Sequence, residues 1–378
     1  MTGFRFIHSA DLHLGRRFGN LPEDVRGRLV EARHQSLDRL VEAAHRHAAR
    51  HILIAGDIFD TETPTDAVWR QALSGMAADP SLHWWLIPGN HDSLAAESLW
   101  SRFRRHAPPN VRLLDAAEPI EIAPSVFLLP APLPRRYPGR DLTDVMAGHE
   151  TGPGALRIGL AHGAVQSFSE DAGRDDGIIP PDRATTARLD YLALGDWHGH
   201  MRIGERTWYS GTPERDGFRH GGPGACLAVT LTAPGAPPDV SLVETGRFTW
   251  TDLLLPLVPG QAPEAALLAL LPQDRAARRD HLMQVRVSGR ATLAEQASLR
   301  GVASAVAPEF CHFVLDMADL ATEFETADLD AIDQGGALRL AADRLRAGAE
   351  DTGRDSASRR ISAAALNRLY GYLKDDRP

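Results

Sequence analysis

The chain has 378 residues, of which 43% are hydrophobic and 24% charged. At roughly 150 residues per domain this length corresponds to two or three domains, and no window approaches the ~20 uninterrupted apolar residues of a membrane helix. A formal net charge of −9 argues against a generally basic protein that coats nucleic acid. It does not exclude a nuclease, because affinity for phosphate depends on local positive charge.

The N-terminus begins with an apolar, strand-like run, Phe4–Ile7, and shows none of the three regions of a signal peptide. The two cysteines, Cys226 and Cys311, are too few for a disulfide framework or a thiolate metal site. We therefore expect a cytoplasmic protein with no membrane association, in which both cysteines are reduced residues of the core.

The first half of the chain repeats one pattern: a short apolar run, a polar cluster at its C-terminal end, and a helical stretch. Strands that alternate with helices imply right-handed crossovers and a largely parallel sheet. Sites in such sheets gather outside the carboxyl ends of the strands. The predicted strands are Phe4–Ser9, His51–Ala55, His83–Ile87, Leu156–Ala161 and Asp190–Leu194.

Four later segments alternate between apolar and polar residues in the manner of hairpins. They are Pro119–Leu129, Thr207–Ser210, Cys226–Leu231 and Val240–Val243. We predict that they form a second sheet packed on the first, which gives an α/β sandwich with helices outside.

A domain boundary is predicted near Gly246, since the residues beyond it form a compact β-α-β-α-β pattern of their own. The tail is helical from Ala337 onward. The predicted elements of the pattern are Phe248–Val258, Pro263–Leu271, His281–Val287, Leu293–Val306 and Cys311–Leu315. We therefore expect a first domain over residues 1–246, a small α+β domain over 247–334 and a helical segment over 335–378.

Five polar clusters follow the predicted strands, in the order Asp11-x-His13, Gly56-Asp57, Gly89-Asn90-His91-Asp92, His162-Gly163 and Gly195-Asp196-x-His198. Singly, such aspartates are more often helix caps or turn residues, and such histidines are more often structural. An Asp-x-His arises by chance about once in such a chain, whereas Gly-Asn-His-Asp arises roughly one time in a thousand. The ordered set therefore predicts one shared site rather than five unrelated turns.

This ordered set resembles the calcineurin-like binuclear metallophosphoesterases, and within them it is most similar to the SbcD-type DNA repair exonucleases. Further similarity lies in Ser9–Gly15, Ala55–Asp60, Pro88–Ser93 and Tyr209–Pro213. The motifs cover residues 4–245, and residues 246–330 match only in layout. The resemblance implies a four-layer α/β/β/α sandwich, a small DNA-capping domain and a C-terminal helical segment that binds a partner.

The family pattern, transferred residue by residue, implies two divalent cations bridged by the carboxylate of Asp57. One cation takes Asp11, His13 and His198, and the other takes Asn90, His162 and Asp196. Imidazole and carboxylate ligands suit Mn²⁺, which we expect, as well as Fe²⁺ or Zn²⁺.

The chain departs from the family at two positions. Asp196 replaces a common histidine, which adds negative charge and favours Mn²⁺, and Asp60 occupies a position where relatives can carry a histidine. The first change leaves a competent ligand in place. The second puts a substrate-positioning role in doubt without affecting metal binding.

The resemblance also implies the chemistry, in which a hydroxide held between the metals attacks phosphorus in line. His91 then faces the leaving oxygen as a general acid or charge stabiliser, and Asp92 orients His91. Arg16, Arg17 and Tyr209 are candidate contacts to DNA, although Arg16 and Arg17 fit a solvated turn equally well.

We therefore expect a Mn²⁺-dependent DNA exonuclease with endonuclease capacity in DNA repair, controlled by an SbcC-like AAA-type ATPase with a coiled coil. The apolar stripe of Ala363–Leu373 is a candidate surface for this ATPase, or it docks on its own domain. Two alternatives remain: a phosphodiesterase for small molecules or cyclic nucleotides, and a catalytically weakened scaffold. A homodimer is left open.

Histidines outside the five clusters are expected to be structural or exposed. His8 is predicted to pack in its strand, His34, His45 and His47 to lie on a helix surface, and His200 to be solvated.

Overall fold

The computed structural model of the chain describes residues 3–165, 178–220, 222–258, 262–323 and 336–375. The chain divides into two compact units, Met1–Thr249 (unit 1) and Trp250–Pro378 (unit 2). The expected division into three segments stays a prediction. Within the described residues, no helix combines the length and the apolar character that crossing a membrane requires.

Six strands form the first sheet of unit 1, in the order β12-β11-β1-β2-β3-β4. The four strands β1 to β4 are parallel, whereas β11 and β12 are antiparallel additions beside β1. Their bounds are β1 Phe4–Ser9, β2 His51–Ala55, β3 His83–Ile87, β4 Val111–Leu113, β11 Ala225–Leu231 and β12 Asp239–Glu244.

Six further strands form the second sheet, in the order β5-β6-β7-β8-β10-β9. The strands β6, β7, β8 and β10 are parallel, and the edge strands β5 and β9 are antiparallel to their neighbours. Their bounds are β5 Ile120–Ala123, β6 Val126–Ala131, β7 Leu156–His162, β8 Tyr191–Gly195, β9 Met201–Arg202 and β10 Thr207–Tyr209.

Unit 1 has four layers, because each sheet buries one face against the other sheet and one face under helices. Phe6 and Leu53 of the first sheet pack with Ile158 and Tyr191 of the second. The outer face of the first sheet lies under three helices, α1 Glu23–Arg46, α2 Asp66–Ala77 and α3 Glu97–His106. The outer face of the second lies under a 3₁₀ turn, Thr143–Ala147, and the short helix α4, Arg183–Thr186. The predicted α/β sandwich is confirmed.

The assignment of strands to sheets is corrected in two places. Strands β11 and β12 belong to the first sheet, where Leu231 of β11 pairs with Phe4, and not to the second sheet as predicted. Conversely, β7 and β8 belong to the second sheet. Alternation along a strand shows that it has one buried face, but it cannot show which neighbour the strand pairs with.

One expectation about helix α1 is also wrong: His34 is buried, with 8% of its surface exposed. It lies beside Arg33, which is buried as well. The helical spacing of the apolar residues placed His34 beside the apolar stripe but gave no measure of how wide the buried face is. Of the other two, His45 is exposed and His47 half-buried.

Unit 2 contains one three-stranded sheet, in the order β13-β14-β15, with helices packed on it. The capping box of α6, in which Thr292 and Glu295 exchange hydrogen bonds, defines the start of that helix. The predicted strands His281–Val287 and Cys311–Leu315 are longer than expected. The bounds are β13 Thr249–Leu257, α5 Pro263–Leu270, β14 His281–Thr292, α6 Leu293–Val306, β15 His312–Glu323, α7 Ala337–Glu350 and α8 Ser356–Asp375.

Candidate metal centre

The polar clusters of unit 1 meet because the parallel strands of both sheets end at the same edge of the sandwich. β1 leads to Asp11 and His13, β2 to Asp57, and β3 to Asn90, while β7 ends in His162. A hydrogen bond from the Nδ1–H of His162 to the carbonyl oxygen of Ala55 (2.8 Å) joins the two sheets at this edge.

Four of the clustered residues have a left-handed backbone, with φ of 54° at Asp11, 42° at His13, 52° at Asp57 and 105° at Asp196. Side chains other than glycine adopt this conformation at a cost on the order of 1–3 kcal/mol each. The surrounding hydrogen bonds hold it: the N–H of His13 donates to the carbonyl of Asp57 at 2.9 Å. The backbone strain is therefore concentrated where the carboxylates and imidazoles converge.

Two glycines of the motifs are required by close approach. A Cβ atom on Gly56, whose φ is +90°, would lie 2.3 Å from Nδ1 of His162. A Cβ atom on Gly89 would lie 2.1 Å from Oδ1 of Asp57. Side-chain carbon at either position would displace one of these two polar groups, which explains why glycine precedes the acidic or amide residue in these clusters.

Asp57 occupies the middle of the site. Its Oδ1 accepts a hydrogen bond from the backbone N–H of His91 at 2.9 Å. Its Oδ2 lies 3.6 Å from Nε2 of His13 and 3.6 Å from Nε2 of His162. One carboxylate oxygen thus contacts an imidazole nitrogen of each of two histidines, which is the placement that a bridging ligand of two cations requires.

The first group of candidate ligands is Asp11, His13 and His198, whose ligand atoms all lie within 4.8 Å of one another. The Nε2 atoms of His13 and His198 are 3.2 Å apart. Burial lowers the pKa of His13 to about 4, against the opposing effect of Asp60 and Asp57, so this ring is neutral near pH 7. A cation bound between the two Nε2 atoms would take the lone pair of each ring.

The second group is Asp11, Asp57 and His162, again within 4.8 Å. Oδ1 of Asp196 lies 3.9 Å from Nε2 of His162, so Asp196 faces the same ring. Because Nδ1 of His162 donates to Ala55, its Nε2 carries the lone pair when the ring is neutral, and this buried atom has no hydrogen-bond partner among the described residues.

Asn90 stands between two residues that touch Asp57, namely Gly89 and His91. Its buried Oδ1 atom likewise has no hydrogen-bond partner within the described part of the chain. Buried polar atoms are normally paired, so the unpaired oxygen of Asn90 and the unpaired nitrogen of His162 fit a metal-binding role. Together with the carboxylates, they form the oxygen and nitrogen set that divalent cations such as Mn²⁺, Fe²⁺ or Zn²⁺ accept.

The charged groups of the site shift one another's pKa values. Burial raises the pKa of Asp11 to about 7. Burial also opposes ionisation of Asp57, but His162, His13 and His91 outweigh it, so that the pKa of Asp57 lies below its ordinary value. Burial lowers the pKa of His162, yet Asp57, Asp11 and Asp196 reverse this effect and raise it to about 9. Protons therefore hold together carboxylates that would otherwise repel one another.

His91 and Asp92 are arranged differently from the prediction. Nδ1 of His91 lies 3.0 Å from the carbonyl oxygen of Asp60, so that carbonyl orients the ring. The carboxylate of Asp92 instead accepts the backbone N–H groups of Phe59 (2.9 Å) and Gly89 (2.7 Å). The expectation that Asp92 orients His91 is therefore wrong: Asp92 fixes the loops that carry Asp57 and Asn90.

The three candidate DNA contacts, Arg16, Arg17 and Tyr209, differ in exposure and in the contacts they make. Tyr209 is 2% exposed and its hydroxyl donates to the carbonyl of Gly163 at 2.7 Å, so it is a packed residue and not a surface contact. Arg16 is partly buried and its guanidinium lies 3.2 Å from Asp216 and 3.6 Å from Asp60. Arg17 is exposed, as a DNA contact requires.

Sequence reasoning missed two residues beside the site. The side chain of Asp216 is only 7% exposed, and its Oδ2 lies 3.0 Å from Nδ1 of His198. Arg33 is 1% exposed and donates to the carbonyls of Leu12 (2.7 Å) and Glu214 (2.9 Å), which ties the first metal loop to the segment that carries Asp216. Their only sequence signals were the position of Asp216 three residues after the Tyr209–Pro213 motif and an arginine among the apolar positions of α1.

Part of this fold is similar to a known family. Residues 4–179 match the family model of the calcineurin-like phosphoesterases. This stretch of the chain is therefore similar to a family that uses divalent metal ions, and it contains all members of the candidate ligand clusters except His198.

Three relatives have names that bear on function. The metallophosphoesterase YhaO of Bacillus subtilis is 29% identical over 210 residues, which are 52% of this chain and 49% of that protein. The SbcD component of the nuclease SbcCD of Escherichia coli is 27% identical over 248 residues, 55% of this chain and 60% of the relative. The corresponding component of the Staphylococcus saprophyticus nuclease is 31% identical over 123 residues, 31% of each protein. The chain thus spans about half the length of the first of these relatives and less than two thirds of the second.

Proposed function

We propose that unit 1 is a binuclear, metal-dependent phosphodiesterase that cleaves DNA in the manner of an SbcD-type exonuclease with endonuclease capacity. The observation that carries this proposal is the position of Asp57, one oxygen of which lies 3.6 Å from an imidazole nitrogen of each ligand group. The relatives named as components of a nuclease support DNA as the substrate.

The seven predicted ligands have the chemistry for two cations around Asp57: Asp11, His13 and His198 for one, Asn90, His162 and Asp196 for the other. Bound divalent cations would supply charge stabilisation for phosphoryl oxygens and acidify water. We propose Mn²⁺, because carboxylate and amide oxygens make up more than half of the set and Asp196 adds a hard oxygen ligand.

The chain's own contribution to turnover lies in His91. Its Nδ1–H is held by the carbonyl of Asp60, so the ring presents Nε2. The ring of His91 stands edge-on to that of His13, with centroids 4.7 Å apart, so Nε2 is available next to the ligand groups. A proton carried at Nε2 can be given to the leaving oxygen of the substrate.

The direct test is incubation of the full chain with Mn²⁺ and end-labelled duplex and hairpin DNA. We expect cleavage that depends on metal and is abolished by a chelator. Robust cleavage of a small phosphodiester dye without cleavage of DNA would instead support the small-molecule phosphodiesterase. Fewer than two bound ions per chain, with no turnover of either substrate, would support the scaffold.

We also propose that an SbcC-like ATPase binds unit 2. The apolar stripe of the last helix is used within the unit, because Leu366 is fully buried against Leu293 and Ala342. The exposed apolar residues Leu340 (56%) and Ile361 (68%) are therefore the better candidates for a partner surface. Capture of the ATPase should fall in the variant Leu340→Asp/Ile361→Asp, and unchanged capture would contradict this assignment.

A further inference from the structure

Behind the two histidines of the first ligand group stand two carboxylates. Nδ1 of His198 lies 3.0 Å from Oδ2 of Asp216. Nδ1 of His13 lies 3.4 Å from Oδ1 of Asp60, a looser contact than the first. In each ring the nitrogen far from the partner ring faces a carboxylate, and the two Nε2 atoms approach to 3.2 Å.

This arrangement favours one position for the hydrogen on each ring. A carboxylate accepts hydrogen bonds and cannot donate one when it is ionised. A proton on Nδ1 of His198 would let this ring donate to Asp216, and it would leave the lone pair on Nε2, the atom that faces His13. A histidine that binds a metal through one nitrogen usually donates its other N–H to such a partner, which sets the tautomer and the ring plane.

Two arginines lie beside the carboxylate of Asp216. The guanidinium of Arg16 lies 3.2 Å from its Oδ2. The guanidinium of Arg33 lies 3.8 Å from Oδ2 of Asp216 and is itself fixed by two backbone carbonyls. Two guanidinium groups therefore face the carboxylate behind His198, and backbone carbonyls hold one of them.

Arg16 connects the two carboxylates. One nitrogen of its guanidinium, Nη1, lies 3.2 Å from Oδ2 of Asp216 and 3.6 Å from Oδ1 of Asp60. Its guanidinium carbon lies 5.7 Å from the centre of the Phe18 ring, which supports it from one side. The guanidinium of Arg16 therefore lies close to both carboxylates behind the two histidines.

We propose that Asp216 and Asp60 are positioning residues, which hold His198 and His13 with Nε2 turned toward the shared cation site. Arg16 pairs with both carboxylates and fixes their positions relative to each other. This inference rests on the proposed metal-binding role of these histidines. It assigns a role to Asp60, one of the two residues at which the chain departs from the family pattern. It also removes Arg16 from the DNA contacts and leaves Arg17 as the exposed candidate.

The first experiment reads the tautomer directly, by ¹⁵N NMR of the histidine rings in the metal-free full chain. We expect His198 to carry its hydrogen on Nδ1, and we expect Asp216→Asn to reduce the population of that tautomer. A wild-type ring protonated on Nε2 alone would overturn the proposal, whether or not the variant folds.

The second experiment measures the affinity for Mn²⁺ by titration calorimetry. Loss of a partner behind a metal-binding histidine weakens the metal by roughly 10- to 100-fold. We expect Asp216→Asn to fall in this range and Asp60→Asn to have a smaller effect. The matched control is Asp115→Asn, which removes an exposed carboxylate paired with Arg104 at 2.7 Å and should leave the affinity unchanged. Wild-type affinity in a folded Asp216→Asn protein would overturn the proposal.

The third experiment separates positioning from DNA contact by comparing Arg16→Gln with Arg17→Gln. If Arg16 is a positioning residue, its loss weakens Mn²⁺ binding and leaves the salt dependence of DNA binding unchanged. A residue that neutralises a phosphate lowers the slope of log affinity against log salt by about 1, and we expect this for Arg17. The opposite pattern would overturn the role of Arg16.

These outcomes are distinct from failure of the proposed function. A protein that binds two Mn²⁺ ions but does not cleave DNA would contradict the nuclease and leave the tautomer and affinity results intact. If the wild-type protein cleaves DNA but Asp216→Asn binds Mn²⁺ with unchanged affinity, the nuclease proposal stands and the positioning role of Asp216 is contradicted.

Discussion

The two units bury different kinds of side chain. Nearly all of the polar and charged residues that are buried in the described part of the chain belong to unit 1, and Gln296 is the exception in unit 2. The core of unit 2 consists of residues such as Leu257, Met283, Val285 and Leu299. Unit 1 also has apolar cores, but in addition it buries Asp11, Asp57 and Asp92 at one edge of its sheets.

The buried carboxylates of unit 1 are a feature that the packing of apolar side chains does not explain. A buried carboxylate is destabilising unless it is paired or binds a metal, and at this edge several carboxylates lie close together. Unit 2 has no such cluster among its described residues. Substitutions at the edge of unit 1 should therefore change metal binding and turnover, whereas substitutions in the core of unit 2 should change stability alone.

The largest effect is expected for His91→Gln in unit 1. General acid catalysis contributes on the order of 10²- to 10⁴-fold, so kcat should fall by this factor. Metal content, measured by atomic emission, should stay at the wild-type value, because His91 is not among the proposed ligands. A variant with full activity would show that another group protonates the leaving oxygen.

The second-largest effect, on stability, is expected for a substitution in the core of unit 2. Leu299→Ala removes a fully buried side chain of α6 and should lower the free energy of unfolding by roughly 2–5 kcal/mol. Hydrogen exchange of the α6 amides measures this within the unit. Leu268→Ala, at a position 46% exposed, is the matched control and should cost far less. If Leu299→Ala reduced the number of bound ions in the folded protein, the contrast between the units would be wrong.

The third prediction concerns pH and the metal-free protein. Burial lowers the pKa of His8 to about 3, against a hydrogen bond to Leu194 that favours the charged ring. The unfolded chain binds this proton near pH 6.5 and the folded chain does not, so stability present above pH 6.5 is lost as the pH falls toward 3. The loss approaches about 1.4 kcal/mol per pH unit.

Urea titrations between pH 4 and 7 should show this slope, and His8→Gln should flatten it. The buried histidines of the described chain all lie in unit 1. An unchanged slope in the variant would mean that other histidines, such as His51, account for the pH dependence.

The smallest effect is expected for Tyr209→Phe. Removal of the hydroxyl leaves the carbonyl of Gly163 without its hydrogen bond, which should lower the free energy of unfolding by about 1 kcal/mol. DNA affinity should not change, because the side chain is buried. A clear loss of DNA affinity at equal stability would restore Tyr209 as a DNA contact.

Much of the candidate site was predictable because it follows strand ends. Asp11, Asp57 and His162 were predicted from the pattern of an apolar run followed by a polar cluster, and the structure brings them within 4.8 Å of one another. Asp216 was not predicted, because it lies in a segment with no periodic pattern and approaches His198 only through the fold. Asp92 was predicted in the right place with the wrong partner.

The same limit applies to the fold. The order of strands and helices, the carboxyl-edge position of the polar residues and the apolar core of unit 2 follow from local patterns, because each depends on residues that are neighbours in the chain. The sheet that β11 joins, the tautomer of His198 and the burial of His34 and Arg33 depend on contacts between distant segments. Those contacts are set by which faces pack together in three dimensions, and a linear pattern of polar and apolar residues does not contain that information.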